Sequence, residues 1–244
     1  MAENVSMWRS DDDHRGVMLP PDGETGLVRE FFQSHRGYFV DVGANDPTHW
    51  SQTFHLEQVG WNGVLIEPQP QLAEALRARS KARVYAVACS SPENSGRTMP
   101  LKLAGPYSTL NRLPRVAGAT IAGSIDVPIK TLDEVLANAG APSPIDFISI
   151  DVEGHEREVL RGLDLDRWRP RLILIEDHVL HRHLHNDLVS RGYIWTRRTG
   201  LNSWYVSAGS KPALNFGGRL RFFRKYYLGV PFRRLRDVVR RCRQ

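Results

Sequence analysis

Residues 38–46, YFVDVGAND, decide the fold when they are considered together with residues 63–70, GVLIEPQP. The apolar run before Asp41 predicts a short buried strand, and Gly43 permits a tight turn that a Cβ would obstruct. A second apolar run, 64–66, brings Glu67 to its carboxyl end. An acidic residue about twenty positions after a glycine-bearing turn suits the two hydroxyls of a ribose, at the strand ends where open α/β sheets bind ligands. The two segments predict an adenosine-containing cofactor.

The composition of the turn narrows the choice of cofactor. A dinucleotide requires a G-x-G-x-x-G turn, because the pyrophosphate lies against a helix N-terminus. Residues 43–47 read GANDP, with one glycine and one acid, and no G-x-x-x-x-G-K-[ST] segment is present. A cofactor with a ribose and no phosphate fits better, which indicates S-adenosylmethionine (SAM); Asp41 either orients the turn or contacts the methionine end. The alternative is an ordinary strand–turn–helix without a ligand.

The overall composition is that of a soluble globular protein. The chain has 244 residues, 41% hydrophobic and 25% charged, which suits one α/β domain with appendages or two small domains. It lacks an apolar run of about 18 residues and an apolar signal core near its start. Two cysteines, Cys89 and Cys242, are too few for a disulfide framework or a cysteine metal site. We therefore expect a cytoplasmic protein.

Charge divides the chain unevenly. Residues 210–244 contain eleven lysines and arginines but one acid, whereas the whole chain has a net charge of +6, so the rest of the chain is net acidic. We expect an arm at 1–23, a domain at 24–209 and a basic, aromatic tail at 210–244. Such a tail fits an interfacial helix on an anionic membrane at the inner face. Packing on the domain, nucleic acid and protein contact are the alternatives for it.

Strand and helix patterns alternate along the domain. Strands are predicted at 38–40, 64–66, 83–89, 145–151 and 171–175, and helices at 24–34, 51–60, 71–80, 131–140 and 155–162. The long loop 90–130 contains two candidate small strands, 98–103 and 125–130, and an antiparallel pair is predicted at 193–199 and 203–207. This alternation predicts a mostly parallel sheet with helices on both faces.

Carboxylates follow the predicted fourth and fifth strands. Asp151 ends the fourth strand, and Glu176 and Asp177 end the fifth. Carboxylates at one sheet edge repel each other, so they often enclose a cation. Their oxygens suit Mg²⁺ or Mn²⁺, which would hold neighbouring substrate hydroxyls and lower the pKa of the one to be alkylated. The alternative is that these acids cap helices or form salt bridges.

Several polar residues are further candidates for the site. His155 and His178 are candidate general bases, since both follow the strands that carry these acids. Three more histidines in HRHLH, residues 181–185, fit a solvated face better than a metal site. Ser108, in PYSTLNR at 106–112, bounds the cofactor or the acceptor, or has a structural role only.

Together these segments resemble the FkbM-type SAM-dependent methyltransferases over about residues 37–207. The matching segments are DVGAN at 41–45, SQTFHLEQVGWNGVLIEPQP at 51–70, KTLDEVL at 130–136 and ISIDVEGHEREVLRGL at 148–163. The resemblance implies a class I, Rossmann-like SAM methyltransferase fold, α/β, with a seven-stranded mostly parallel sheet whose last strand is antiparallel. It also implies O-methylation, usually of a sugar or polyketide hydroxyl.

The resemblance also implies roles for individual residues. The turn would frame the methionine part, Glu67 would hold the ribose, and Asp151 would stand beside the transferred methyl. Related sugar O-methyltransferases hold a metal with acids that Asp151, Glu176 and Asp177 resemble. The expected cofactor-binding set is Asp41, Gly43, Ala44, Asn45, Glu67, Pro68, Ala88, Cys89 and Ser108.

Four functions are compatible with these patterns. The first is O-methylation of a glycan or glycolipid, at the cytoplasmic membrane face, and the second is O-methylation of a soluble polyketide-type product. A nucleic-acid methyltransferase is the third, and the absence of an N-P-P-[YF] segment disfavours it for base N6 methylation. The fourth is a SAM-binding module without catalysis, against which the strand-end acids argue. The sequence does not determine the acceptor or the oligomeric state.

Overall fold

The structure of the protein is a computed structural model, and it describes residues 23–33, 36–111, 120–177 and 183–208. The chain divides into two units, 1–34 and 35–244. Most of the predicted arm, His178 and the predicted basic tail lie outside the described residues. Within the described residues, no helix is both long and apolar enough to cross a membrane.

The helices and strands alternate through the second unit, as the sequence predicts. The first unit contributes one described helix, α1 (Gly23–Phe32). The strands are β1 (Tyr38–Val42), β2 (Asn62–Ile66), β3 (Ala82–Tyr85), β4 (Ala88–Cys89), β5 (Thr98–Leu103), β6 (Gly123–Lys130), β7 (Phe147–Ile150), β8 (Leu172–Glu176), β9 (Tyr193–Thr199) and β10 (Asn202–Ser207). The remaining helices are α2 (Phe54–Gln58), α3 (Pro70–Leu76), α4 (Leu132–Ala139), α5 (Glu156–Arg161), α6 (Leu165–Trp168) and α7 (His183–Ser190).

A seven-stranded sheet forms the centre of this unit, in the order β3-β2-β1-β7-β8-β10-β9. The pairings from β3 to β8 are parallel, and β10 is antiparallel to both of its neighbours. The predicted fold class is therefore confirmed, including the antiparallel last strand. Because these strands are parallel, the carboxyl ends of β2, β1, β7 and β8 lie side by side, in that order, at one edge of the sheet.

The two faces of the sheet are covered by different helices. Val40 and Val42 of β1 belong to a core that also contains Val135 of α4 and Val159 of α5. Phe39 points to the opposite face, because successive strand residues alternate. There the Arg79 guanidinium lies 5.4 Å from the Phe39 ring centroid and 5.6 Å from that of Phe54 in α2. Burial on both faces explains the continuous apolar runs of the central strands.

The structure corrects the predicted strand at 83–89, which is two strands in two sheets. β3 pairs with β2, whereas β4 pairs with β6 in a three-stranded sheet of order β4-β6-β5. The small strands predicted at 98–103 and 125–130 are confirmed as β5 and β6. The predicted strand is divided because β4 pairs with β6, about forty residues further along the chain. A local sequence pattern does not indicate such a pairing.

Candidate active site

A cleft of about 580 Å³, counted with its open mouth, lies at the carboxyl ends of β1, β2 and β7. This size falls within the range of small-molecule sites in proteins. Seven of the nine residues predicted to bind the cofactor line it, and Asp41 and Ala44 do not. The lining members of that set are Gly43, Asn45, Glu67, Pro68, Ala88, Cys89 and Ser108.

The turn after β1 is held between β2 and β7. The backbone N–H groups of Gly43 and Ala44 donate to the carbonyl oxygen of Ile66, at 2.9 and 3.1 Å. Gly43 has a φ of +86°, and a Cβ there would overlap the carbonyl oxygen of Asp151. Glycine is therefore required both by the backbone conformation and by the close approach of β7.

Glu67 is fixed in the cleft by two backbone donors. The N–H of Asn45 donates to Oε2 at 3.1 Å, and the N–H of Gln69 donates to Oε1 at 2.9 Å. Burial raises the pKa of the Glu67 carboxyl above its ordinary value, against the lowering effect of these hydrogen bonds. A carboxylate has about four acceptor positions, so the two backbone bonds and a further interaction with the Gln69 side chain leave capacity for a ligand. This arrangement suits a ribose hydroxyl.

Asp41 lies beneath the turn and away from the cleft. Its Oδ2 accepts a 2.7 Å hydrogen bond from the hydroxyl of Thr53, which in turn accepts one from Arg79. Burial raises the pKa of Asp41, and the bond from Thr53 opposes that rise. Of the two roles predicted for Asp41, the geometry favours orientation of the turn over a ligand contact.

The wall near β4 is apolar. Ala88 and Cys89 line it together with Leu101, a composition that suits an adenine ring. Burial raises the pKa of the Cys89 thiol to about 12, with a smaller contribution from the charge of Glu134. The thiol is therefore protonated near neutral pH and unreactive as a nucleophile.

His155 lines the same cleft, and a buried serine holds its ring. Its Nε2 lies 2.9 Å from the Ser90 hydroxyl, which accepts a 3.0 Å hydrogen bond from Nδ2 of Asn94. Burial lowers the pKa of His155, so the ring is neutral at physiological pH. The Ser90 contact keeps the ring beside β4. The role of His155 as general base stays a prediction, as does that of His178.

Three carboxylates lie close together, two of which, Asp151 and Glu153, line the cleft, and we call Asp151, Glu153 and Glu176 the acidic rim. One oxygen from each lies within 4.8 Å of the others. Asp151 is exposed, Glu153 is half-buried and Glu176 is buried. Desolvation by the surrounding protein and then the charges of Glu176, Glu153 and Glu156 raise the pKa of Asp151 well above its ordinary value. Oxygen ligands of this kind suit Mg²⁺ or Mn²⁺.

The third acid of the rim is Glu153, whereas the sequence predicts that Asp177 lies with Asp151 and Glu176. Asp177 turns toward β10 instead, where its Oδ2 accepts a 3.2 Å hydrogen bond from the Ser203 hydroxyl. Glu153 enters the rim because the chain after β7 turns with a φ of +54° at this residue. In the sequence, only the position of Glu153 within the acidic motif VEGHE indicates that it could join the other acids.

The model of the methyltransferase FkbM domain matches residues 41–194. The chain therefore belongs to the FkbM family of SAM-dependent methyltransferases. This match confirms the resemblance that the motifs indicate, and the class I sheet order agrees with it.

Solved structures with a similar fold include three methyltransferases. Methyltransferase FkbM from Methylobacillus flagellatus KT is 16% identical, with a TM-score of 0.45, covering 70% of this chain and 43% of that one. Precorrin-6y C5,15-methyltransferase from Geobacter metallireducens GS-15 is 11% identical (TM-score 0.40; 75% and 86% covered). TrmK from M. capricolum, in complex with S-adenosylhomocysteine, is 12% identical (TM-score 0.42; 82% and 74% covered). This chain thus spans less than half the length of the first of these proteins, and no curated protein matches its sequence.

Proposed function

We propose that this protein transfers a methyl group from SAM to a hydroxyl of a sugar, glycan or glycolipid. The acidic rim, two of whose three carboxylates line the cleft, is the observation that carries this proposal. The sheet order separates Glu67, after β2, from Asp151, after β7, and Glu176, at the end of β8, with the Gly43 turn between them. If a ribose is bound at Glu67, the acidic rim would therefore remain available to bind the acceptor.

Carboxylates suit a polyhydroxylated acceptor because they accept hydrogen bonds from neighbouring hydroxyl groups. SAM supplies an electrophilic methyl group on its sulfonium. The acceptor oxygen forms a bond to that carbon as the carbon–sulfur bond breaks, and S-adenosylhomocysteine leaves. In the site without a metal we assign the released proton to Asp151, since Ser90 holds the His155 ring beside β4. Positioning of this kind supplies a large part of the rate of such a displacement.

A divalent cation is a further element of the proposal. Asp151, Glu153 and Glu176 would hold Mg²⁺ or Mn²⁺ through oxygen ligands. The ion would lower the pKa of the bound hydroxyl. Activity that persists unchanged in excess chelator would remove the metal from the proposal without affecting methyl transfer.

The first test is calorimetric titration of SAM into the protein and its Glu67→Ala variant. Hydrogen bonds to a charged group contribute about 1.5–3 kcal/mol each, so we expect SAM affinity to fall by tenfold or more. Glu74→Ala is the matched control, because Glu74 is an exposed helical acid paired with Arg77. Equal affinities for all three proteins would contradict the role of Glu67.

The second test identifies the acceptor by release of S-adenosylhomocysteine. Methyl glycosides and glycolipid extracts are compared with polyketide-type alcohols, RNA and DNA. Turnover with a sugar supports the proposal. Turnover confined to alcohols of the polyketide type or to nucleic acids would replace it with that acceptor class.

A further inference from the structure

Glu153 has a backbone conformation that residues other than glycine seldom adopt. Its φ is +54°, in the left-handed region, and the φ of Gly154 is +94°. A residue with a side chain persists in this region where the surrounding structure imposes it, and such residues cluster at functional sites. Glu153 is one of the three acids of the acidic rim. The contacts that impose its conformation therefore bear on the chemistry of the cleft.

One set of contacts holds the amide groups around Glu153. We call residues 151–155, between β7 and α5, the rim loop. The N–H groups of Val152 and Gly154 both donate to Oε1 of Glu156, at 3.3 and 2.9 Å. Glu156 is buried, so water competes little for these bonds. Its carboxyl group thus fixes the amide groups on either side of Glu153.

A second set of contacts comes from a hairpin earlier in the chain. After β5 the chain turns back, and the N–H groups of Lys102 and Thr109 each donate to the other's carbonyl oxygen at 3.0 Å. The Thr109 hydroxyl donates to the Glu153 carbonyl at 2.7 Å. Nδ2 of Asn111 donates to the Gly154 carbonyl at 2.5 Å. The hairpin thus holds the carbonyl groups of the two left-handed residues.

The rim loop is therefore held through both kinds of backbone polar group. Glu156 accepts from its N–H groups, whereas Thr109 and Asn111 donate to its carbonyl groups. A backbone fixed in this way also fixes the direction in which the Glu153 side chain leaves it. Thr109 and Glu153 line the cleft, but Asn111 is exposed and is not among the lining residues.

We propose that Thr109 and Asn111 are positioning residues of the acceptor site. They hold the rim loop in its left-handed conformation and thereby place the Glu153 carboxylate with the other two acids of the acidic rim. Without these bonds the loop relaxes toward an ordinary conformation, and the Glu153 side chain leaves it in another direction. This inference rests on the proposed function, and it adds the hairpin as the element that sets the geometry of the rim.

The test measures acceptor kcat/KM and SAM affinity in Asn111→Ala and Thr109→Val, with methyl glycosides as acceptors. Loss of one hydrogen bond corresponds to about a 3- to 10-fold fall in kcat/KM for each variant. SAM affinity should stay within about twofold in Asn111→Ala, because Glu67 lies at another part of the cleft. Thr109→Ser, which keeps the hydroxyl, should recover most of what Thr109→Val loses. Ser124→Ala is the matched control, since the Ser124 hydroxyl donates to the Leu101 carbonyl within the three-stranded sheet.

A double-variant cycle separates positioning from general structural damage. If the hairpin acts through the Glu153 carboxylate, Asn111→Ala should lower kcat/KM in the wild-type background and have little effect in a Glu153→Gln background. Equal losses in the two backgrounds, or no loss in the wild type, would overturn the inference and leave the proposed function standing. Because Asn111 is exposed, this cycle remains valid even if Thr109→Val, a change at a buried position, does not fold.

The choice of acceptor separates the two proposals. If the wild type methylates a polyketide-type alcohol or a nucleic acid and no sugar, the proposed function is overturned, and the same cycle on that acceptor decides the role of the hairpin. If the wild type turns over no acceptor of any class, both proposals are overturned.

Discussion

At the scale of single residues, Gly43 and Glu67 shape the candidate cofactor site. Gly43 lets the turn lie against the backbone of Asp151. Two residues later, Asn45 donates its backbone N–H to Glu67. The turn therefore connects the two strand ends between which a ribose and a methionine would lie. Substitutions at these two positions test different properties, which are backbone conformation and charge.

Replacing Gly43 with alanine should destabilise the protein and abolish SAM binding. A left-handed conformation costs an alanine about 1–2 kcal/mol, and forced overlap with the Asp151 carbonyl adds about 1–3 kcal/mol. Gly96→Ala is the matched control, because Gly96 has a φ of +75° with no atom within 4 Å of an added Cβ. Urea unfolding measures both. Equal losses of unfolding free energy would show that the close approach at Gly43 is unimportant.

SAM affinity should depend on pH through Glu67. Burial raises the pKa of this carboxyl, and a ribose is held by the ionised form. The affinity should therefore be full above the raised pKa and decrease as the pH falls through it, at higher pH than an exposed glutamate would show. Calorimetric titration across the acidic range measures this. The Glu67→Gln variant, which is weak throughout, should lack this pH dependence; a matching dependence in that variant would assign it to another group.

At the scale of elements, a buried ionic network joins β1, α2 and the chain after α3. Nε of Arg79 donates to Glu57 Oε2 at 2.7 Å, and its two other nitrogens donate to Ser51 and Thr53. Thr53 then donates to Asp41 at the end of β1. The Arg79 side chain is 2% exposed, so water cannot replace these contacts. The helix predicted at 71–80 ends at Leu76, three residues before Arg79.

Replacing Arg79 with methionine should destabilise the protein by about 3–5 kcal/mol, because it leaves Glu57 buried without its cation. Adding Glu57→Gln should recover part of that loss. Arg77→Met is the matched control, since the Arg77–Glu74 pair is exposed and such pairs contribute about 0–1 kcal/mol. Denaturant unfolding gives the values for these three variants and for the single variant Glu57→Gln. A double variant as unstable as the sum of its single variants would contradict this account.

Elements with strong local signals are the ones that the sequence predicts well. Thr131 and Glu134 form the predicted capping box, and α4 ends at Gly140 in a left-handed conformation. The four central strands were evident as buried apolar runs. The short helix α6 was missed, although Asp164 caps it, because four residues are too few to show a helical period.

At the scale of the whole molecule, the basic segment 210–244 is the feature that the described fold does not include. We propose that it contacts an anionic membrane surface, where each basic residue contributes about 1 kcal/mol. The full chain should sediment with vesicles containing phosphatidylglycerol, and not with phosphatidylcholine alone. A variant with glutamine at Arg233, Arg234, Arg240 and Arg241 should bind far less. If the intact protein ignores anionic vesicles at low salt, the membrane proposal fails.

The sequence by itself determined the family, the parallel sheet and the positions of Gly43 and Glu67. These follow from local properties, namely apolar runs, a glycine turn and motif order. Only the tertiary structure decided that Glu153 joins Asp151 and Glu176 and that Asp41 turns away from the cleft. Each depends on side-chain direction and on contacts such as Thr109 to Glu153 between distant segments. Long-range pairing sets such contacts, and a local sequence pattern does not encode them.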